Sequence, residues 1–188
     1  MTAKRLILMR HGQTEASAHR IYSGKLEIPL TAEGRAQAER AADSLRESGL
    51  DAIRSSPLSR ARETAEAVAR AVGLPVLVDE RLREIDYGPV EGLDRAAAEQ
   101  RFGAAYAAWR GDPFEAELPG MEPLEGALTR AGSATAEALA ASRRPLLVAH
   151  QGILRLVLIS LGRIRRDQYF ETFIPEAEPL ELEPPDER

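Results

Sequence analysis

Two apolar runs in this 188-residue chain end on a histidine followed closely by glycine. Leu6-Ile7-Leu8-Met9 stops at Arg10-His11-Gly12, and Pro145-Leu146-Leu147-Val148-Ala149 stops at His150-Gln151-Gly152. An imidazole has an ordinary pKa of about 6.5, so its neutral, nucleophilic form is available near neutrality. Such a group can attack phosphorus and carry a phosphoryl group as phosphohistidine. A second imidazole, if protonated, can donate hydrogen bonds to the phosphoryl oxygens. Arg10 and Arg60 suit the same task, because a guanidinium grips phosphate with two parallel N–H bonds. Gly12 allows backbone N–H groups to approach a ligand closely. Other readings of these residues stand beside this one. A histidine at a strand end often has a structural role, and Arg60 with Arg62 could form a solvated helix face. Two histidines with nearby carboxylates also suit Zn or Mn. The chain holds no close His-x-His or His-x-x-x-His pair, which weighs against a metal.

For two histidines so far apart in the chain to act together, their strands must lie near each other. Residues 4–9 and 145–149 read as buried strands from their length and apolarity. In open α/β sheets, ligands bind beyond the C-terminal ends of the strands. Thr31 reads as the N-cap of a helix running to about Gly49, with Ala36, Ala38, Ala41, Ala42 and Leu45 as its small apolar face. Residues 50–54 form a short strand, closed by Ser55-Ser56-Pro57. Pro57 suits the first position of a helix over 57–72 that ends at Gly73. A short strand at 76–78 and helices at about 95–109, 123–142 and 152–161 complete the pattern. Residues 15–31, 79–94 and 111–123 read as loops. This alternation predicts an α/β fold, a three-layer α/β/α sandwich around a mostly parallel sheet. The expected organisation is one domain over 1–173, in which 79–125 forms a cap-like insertion above the site. An acidic, proline-rich tail over 174–188 is expected to be extended or partly disordered.

Composition narrows the function. The net charge of −5 argues against nucleic acid as a partner, which would demand surplus Lys and Arg. It does not disfavour a small anion, which senses only local charge. The absence of cysteine excludes disulfides, thiolate nucleophiles and Cys-based metal sites. No apolar run approaches the roughly 20 residues of a membrane span, and the N-terminal run is too short for a signal peptide. A soluble, cytoplasmic protein without membrane partners is expected.

The order of motifs resembles the histidine phosphatase superfamily, the phosphoglycerate-mutase-like group. Arg10-His11-Gly12-Gln13-Thr14 matches its opening signature, and Pro29-Leu30-Thr31 with Gly34 and Gln37-Ala38 its next segment. Ser55-Ser56-Pro57-Leu58-Ser59-Arg60-Ala61-Arg62-Glu63-Thr64-Ala65 matches a third block. Leu82-Arg83-Glu84-Ile85-Asp86-Tyr87-Gly88 with Glu91-Gly92 matches a fourth, and His150-Gln151-Gly152-Ile153-Leu154-Arg155 a fifth. The resemblance implies a phosphoglycerate-mutase-like fold in which His11 is the phosphorylated nucleophile. It implies that His150, Arg10 and Arg60 complete the phosphate pocket. Glu84 would protonate the leaving alkoxide and then activate water. Ser17 and Gln151 are further candidates for phosphate contact, and Gln13, Thr14, Ser23 and Gly24 for the substrate pocket.

The chain also departs from the family pattern. Ser17 stands where Asn is usual, and Ile21 and Ser23 stand where Arg and Gln are often found. Gly-Gly-Glu-Ser becomes Gly120-Met121-Glu122-Pro123, and Gln151 replaces a common glycine. The stretch 93–125 is short, and Arg95, Arg101 and Arg110 are its only cations. Water is therefore the expected phosphoryl acceptor, which gives a phosphatase for a small phosphorylated metabolite with no cofactor and no metal. The alternatives are a 2,3-bisphosphoglycerate-dependent phosphoglycerate mutase and a non-catalytic phospho-ligand-binding module. Monomer and homodimer are both compatible with the sequence.

Overall fold

Apolar residues take both faces of the inner strands Leu6–Arg10 and Pro145–Ala149 of a five-stranded sheet, because parallel strands flanked by helices have no solvent face. A computed structural model describes residues 4–183. The strands are β1 (Leu6–Arg10), β2 (Ala52–Ser55), β3 (Val76–Val78), β4 (Pro145–Ala149) and β5 (Leu180–Leu182). Their order across the sheet is β3-β2-β4-β1-β5. All neighbours are parallel except β5, which runs antiparallel to β1. The helices are α1 (Glu15–Ala18), α2 (Ala32–Leu45), α3 (Ser59–Val72), α4 (Arg95–Gly111), α5 (Leu124–Ala141) and α6 (Gln151–Ser160). This is the expected mostly parallel α/β architecture.

Strand alternation divides the core in two. Ile7, Met9, Ile53, Leu146 and Val148 pack with the alanines of α2 and α3. Leu6, Leu8, Leu147 and Ala149 face the other way, toward α4, α5 and α6. On α5, Ala127, Ala131, Ala134 and Ala138 recur at helical spacing and are fully buried, so the helix lies close to its neighbours. The 79–123 stretch adds Leu82, Ile85, Tyr87, Val90, Tyr106, Trp109, Leu118 and Met121 to this second layer. Within it, α4 bends at Gly103, whose φ of 50° lies outside the helical region.

Three details differ from the sequence reading. Pro57 precedes α3 rather than opening it; the N-cap is Leu58, which makes no side-chain cap bond. Glu27 supplies the missing acceptor, taking the Ser59 N–H at 3.1 Å and the Ser59 hydroxyl at 2.6 Å. The 15–31 stretch is not all loop, since Thr14 and Ser17 form a capping box at α1. Part of the tail is neither loose nor separate: Leu180–Leu182 completes the sheet, and the Ala177 N–H bonds the Arg10 carbonyl at 2.9 Å. Residues 184–188 of that tail lie outside the described residues. Among the described residues, no helix is long and apolar enough to cross a membrane.

Candidate active site

The parallel register alone brings the two histidines together. Arg10 pairs with Ala149, and Ser55 with Val148, so β1, β4 and β2 end at the same level. The next residues, His11, His150 and Ser56, emerge side by side. The His11 N–H bonds the Ala149 carbonyl at 3.0 Å, and the Ser56 N–H bonds the Val148 carbonyl at 3.0 Å. The imidazole centroids are 5.1 Å apart at an interplanar angle of 58°.

Hydrogen bonds assign the tautomers. His11 Nδ1 lies 2.7 Å from the Gly12 carbonyl oxygen, which can only accept. The proton therefore sits on Nδ1, and Nε2 carries the lone pair. Arg60 Nε donates to His150 Nδ1 at 3.3 Å, so that nitrogen accepts and Nε2–H donates to the Ser56 hydroxyl at 2.6 Å. His150 is thus neutral, and for His11 the surroundings favour the same form. Burial pushes the His11 pKa well below 6.5, and the charges of Arg10 and Arg60 push it the same way. His150 is lowered by burial first and then by Arg60. The second imidazole, neutral in this arrangement, keeps one N–H with which to donate.

Arg60 is the most enclosed cation of the site, with no exposed surface. It lies on the first turn of α3 and donates to the Leu26 carbonyl at 2.7 Å and the Gly24 carbonyl at 2.8 Å. Gly24 thereby enters the site through its backbone. Arg62, two residues on, is exposed and pairs with Glu66, so the solvated-face reading fits Arg62 but not Arg60. Thr64, one turn along α3, accepts the Gly12 N–H at 3.0 Å and donates to the Arg60 carbonyl at 2.7 Å. Helical spacing in the third sequence block placed this threonine there. Gly12 also lies against Gly34 of α2 so closely that a side chain at Gly12 would strike the Gly34 backbone.

Arg10 approaches from the β1 end. It donates to Gln151 Oε1 at 3.2 Å and the Ile174 carbonyl at 3.3 Å, and faces Glu176 at 3.5 Å. Its buried Nε–H has no partner among the described residues. An unpaired buried donor costs about 1–3 kcal/mol, which an incoming anion would relieve. Burial lowers the pKa of Arg10 and of Arg60; Glu176 and Glu84 oppose this at Arg10, and Glu84 and Glu27 at Arg60.

Glu84 meets this cluster on the N-terminus of α6. One carboxylate oxygen accepts the Ile85 and Ile153 N–H groups at 3.0 and 3.1 Å, and the other accepts Gly152 N–H at 3.0 Å. Two of these donors are unpaired first-turn groups of the helix, where the dipole favours an anion.

Several other candidates have duties elsewhere. The Ser17 hydroxyl accepts the Thr14 N–H at 2.9 Å and donates to the Thr14 carbonyl at 3.0 Å, so it is spent on the α1 cap. Thr14 is buried in the same box and bridges to Leu30. Gln13 binds Thr31 and Gln37 around the start of α2. Ser23 closes a turn with Leu26. Gln151 holds Arg10 and the 172–174 backbone. Ser56, Glu176 and Ile174 were not singled out in the sequence. Ser56 alone had a signal, as the residue after a strand that ends level with β4.

A cluster of two neutral imidazoles, one buried and one largely buried guanidinium and a carboxylate on a helix end can hold an anion, attack it and move a proton. Comparisons with known proteins return a phosphatase and mutase family. The model of the "Histidine phosphatase superfamily (branch 1)" matches residues 6–188. A "Bifunctional protein" of Mycobacterium tuberculosis is 39% identical over 165 residues, 87% of this chain. The chain spans only 43% of that relative's length. A "Probable phosphoglycerate mutase" of Salmonella paratyphi B is 35% identical over 81% of this chain and 72% of its own. Among solved structures, a mycobacterial glucosyl-3-phosphoglycerate phosphatase, in complex with VO3, superposes with TM-score 0.84 at 32% identity, covering 96% of this chain and 92% of that one. The alpha-ribazole phosphatase of Shigella flexneri superposes with TM-score 0.83 at 28% identity, covering 94% and 89%.

Proposed function

The chain belongs to the histidine phosphatase superfamily, and on that premise we propose that it is a phosphatase hydrolysing a small phosphomonoester through a phosphohistidine. The observation that carries this reading is the His11 tautomer. Its Nδ1–H is fixed on the Gly12 carbonyl and its Nε2 lone pair is free, in a pocket bearing Arg10 and Arg60.

In the first step the incoming phosphomonoester monoanion passes its proton to Glu84, His11 Nε2 attacks phosphorus, the P–O bond to the alcohol breaks, and Glu84 gives that proton to the departing oxygen. In the second, Glu84 takes a proton from water, the resulting hydroxide attacks phosphorus, and the N–P bond breaks. Phosphate leaves and His11 is neutral again. Arg10 and Arg60 balance the charge of the transferring group throughout, with His150 Nε2–H a further donor if it turns from Ser56 to phosphate. General acid–base help contributes about 10²–10⁴-fold, so most of the acceleration comes from positioning and charge stabilisation. The neutral nucleophile is retained into mildly acidic solution because the pKa of His11 lies well below 6.5.

The likeness to phosphatases that act on a sugar-linked phosphoglycerate and a ribazole phosphate supports a small metabolite as substrate; a cytoplasmic setting and no metal requirement belong to the same proposal. The test is a panel of phosphorylated metabolites scored for released phosphate, with His11→Ala as control. The wild type should release phosphate in the presence of EDTA, form an acid-labile phosphoenzyme and be inhibited by vanadate. A wild type no faster than His11→Ala on every substrate would overturn the reading in favour of a binding module. The similarity to a named mutase motivates one added arm: 3-phosphoglycerate with 2,3-bisphosphoglycerate should yield free phosphate, not 2-phosphoglycerate.

A further inference from the structure

We infer that Arg130, locked to Glu122, is the positioning residue that sets Glu84 as proton donor; the inference rests on the proposed phosphatase mechanism. The segment carrying Glu84 has little regular structure to hold it. It contains one short 3-10 turn, Glu80–Leu82, and then runs without helix or strand through Asp86. The side-chain end of Glu84 is fixed on α6, and its backbone end must be fixed elsewhere.

Arg130 does this from α5. Its Nη1 donates to the carbonyls of Arg81 and Arg83 at 2.8 and 2.6 Å, and Nη2 reaches the Glu84 carbonyl at 3.5 Å. Glu122 holds the same guanidinium by two parallel bonds, Nε to Oε1 at 2.7 Å and Nη2 to Oε2 at 2.8 Å. Glu122 also bonds the far side of the segment. Its N–H donates to the Asp86 carbonyl at 2.8 Å, and its Oε2 accepts the Asp86 N–H at 3.2 Å. The backbone on both sides of Glu84 is therefore gripped by one Arg–Glu unit. The helix that bears it is rigidly seated, since Ala127 and Ala131 on either side are fully buried.

An exposed ion pair contributes little, but this pair is two-thirds or more buried, bidentate and bonded to three carbonyls. Lysine would replace it only in part, because an ammonium lacks the planar fork that serves carboxylate and carbonyls at once. Displacing Glu84 by even 1 Å would weaken proton transfer while leaving His11, Arg10 and Arg60 in place.

That separation provides the test. A p-nitrophenolate leaving group departs without a proton, whereas an alkoxide needs one. kcat/KM reports the steps through cleavage of the P–O bond, and so isolates the acid role from later water activation. We would measure kcat/KM for p-nitrophenyl phosphate and glycerol 2-phosphate in the wild type, Glu84→Gln, Arg130→Met, Arg130→Lys and Glu122→Gln, with melting temperatures. Arg130→Met should lower the alkyl value about 10–100-fold and the aryl value less than about threefold, following the pattern of Glu84→Gln at smaller size. Arg130→Lys and Glu122→Gln should show the same asymmetry more weakly. If Arg130→Met does not fold, those two milder variants carry the contrast. Equal loss on both substrates, or none, while Glu84→Gln discriminates, would overturn the positioning role alone. A Glu84→Gln that does not discriminate would overturn the acid assignment and this inference with it.

Discussion

Arg60 shows how one side chain can be structural and electrostatic at once. Its guanidinium reaches two carbonyls and an imidazole nitrogen from a site with no exposed surface. Two of its five N–H bonds are left for a ligand. Arg60→Lys keeps the charge but cannot serve three acceptors in a plane, so His150 and the Gly24 and Leu26 carbonyls lose donors. We expect kcat/KM to fall about 100-fold, read by phosphate release. Gly152 is constrained by contact rather than by dihedral angle. A Cβ there would lie 2.5 Å from the Tyr87 hydroxyl, 2.7 Å from a Glu84 carboxylate oxygen and 2.8 Å from Ile85 Cδ1. Gly152→Ala should destabilise the fold by about 1–3 kcal/mol and shift Glu84. Its kcat/KM should fall more steeply for alkyl than for aryl phosphates; an unchanged ratio would place the strain elsewhere.

At the scale of elements, the N-terminus of α3 has the most direct link to the site. Leu58 supplies no cap, and Glu27 substitutes from a distant loop. Glu27→Ala should cost about 0.5–2 kcal/mol of stability, as cap removal does, and should raise KM by loosening the turn that carries Arg60. The thermal midpoint and KM measured together check this. The same distinction between local and distant partners explains what the sequence disclosed. The strands β1 and β4 are continuous apolar runs because they are buried on both faces, and so they were legible from hydropathy alone. Their endings made His11 and His150 candidates, and the motif order supplied Arg60 and Glu84. Leu180–Leu182 was hidden among prolines and acids, because a three-residue edge strand has no periodicity to detect and gains its place from β1. Four-residue α1 was missed for the same lack of length. Glu122, Arg130 and Glu176 could not be assigned for a different reason. Each acts through backbone carbonyls or a partner remote in the chain, which composition and spacing do not encode.

For the molecule as a whole, two neutral buried histidines give stability a characteristic dependence on pH. In the folded chain the pKa of each lies well below 6.5, chiefly through burial, while unfolding returns both toward the ordinary value. Above about pH 6.5 neither state carries these protons, and the folded state keeps its full stability. As pH falls below that value, the unfolded chain binds protons that the folded chain refuses, so stability declines until the folded pKa is reached. The slope is about 1.4 kcal/mol per pH unit for each histidine. Asp79, Asp86, Glu27 and Glu137, whose pKa values are lowered, add their loss only at more acidic pH, near and below the ordinary carboxylate range. Glu91, raised by burial, works weakly in the opposite sense. Between pH 6.5 and 5 the histidines therefore dominate, and the melting temperature should fall by several degrees per unit. His150→Asn should remove about half of that slope. Saturating phosphate or vanadate should flatten it too, because an anion beside both rings favours their protonated forms and restores what burial and the two arginines withhold. A melting temperature that stays level from pH 7.5 to 5 without anion would mean that the rings are hydrated, and the neutral nucleophile would not persist into mildly acidic solution.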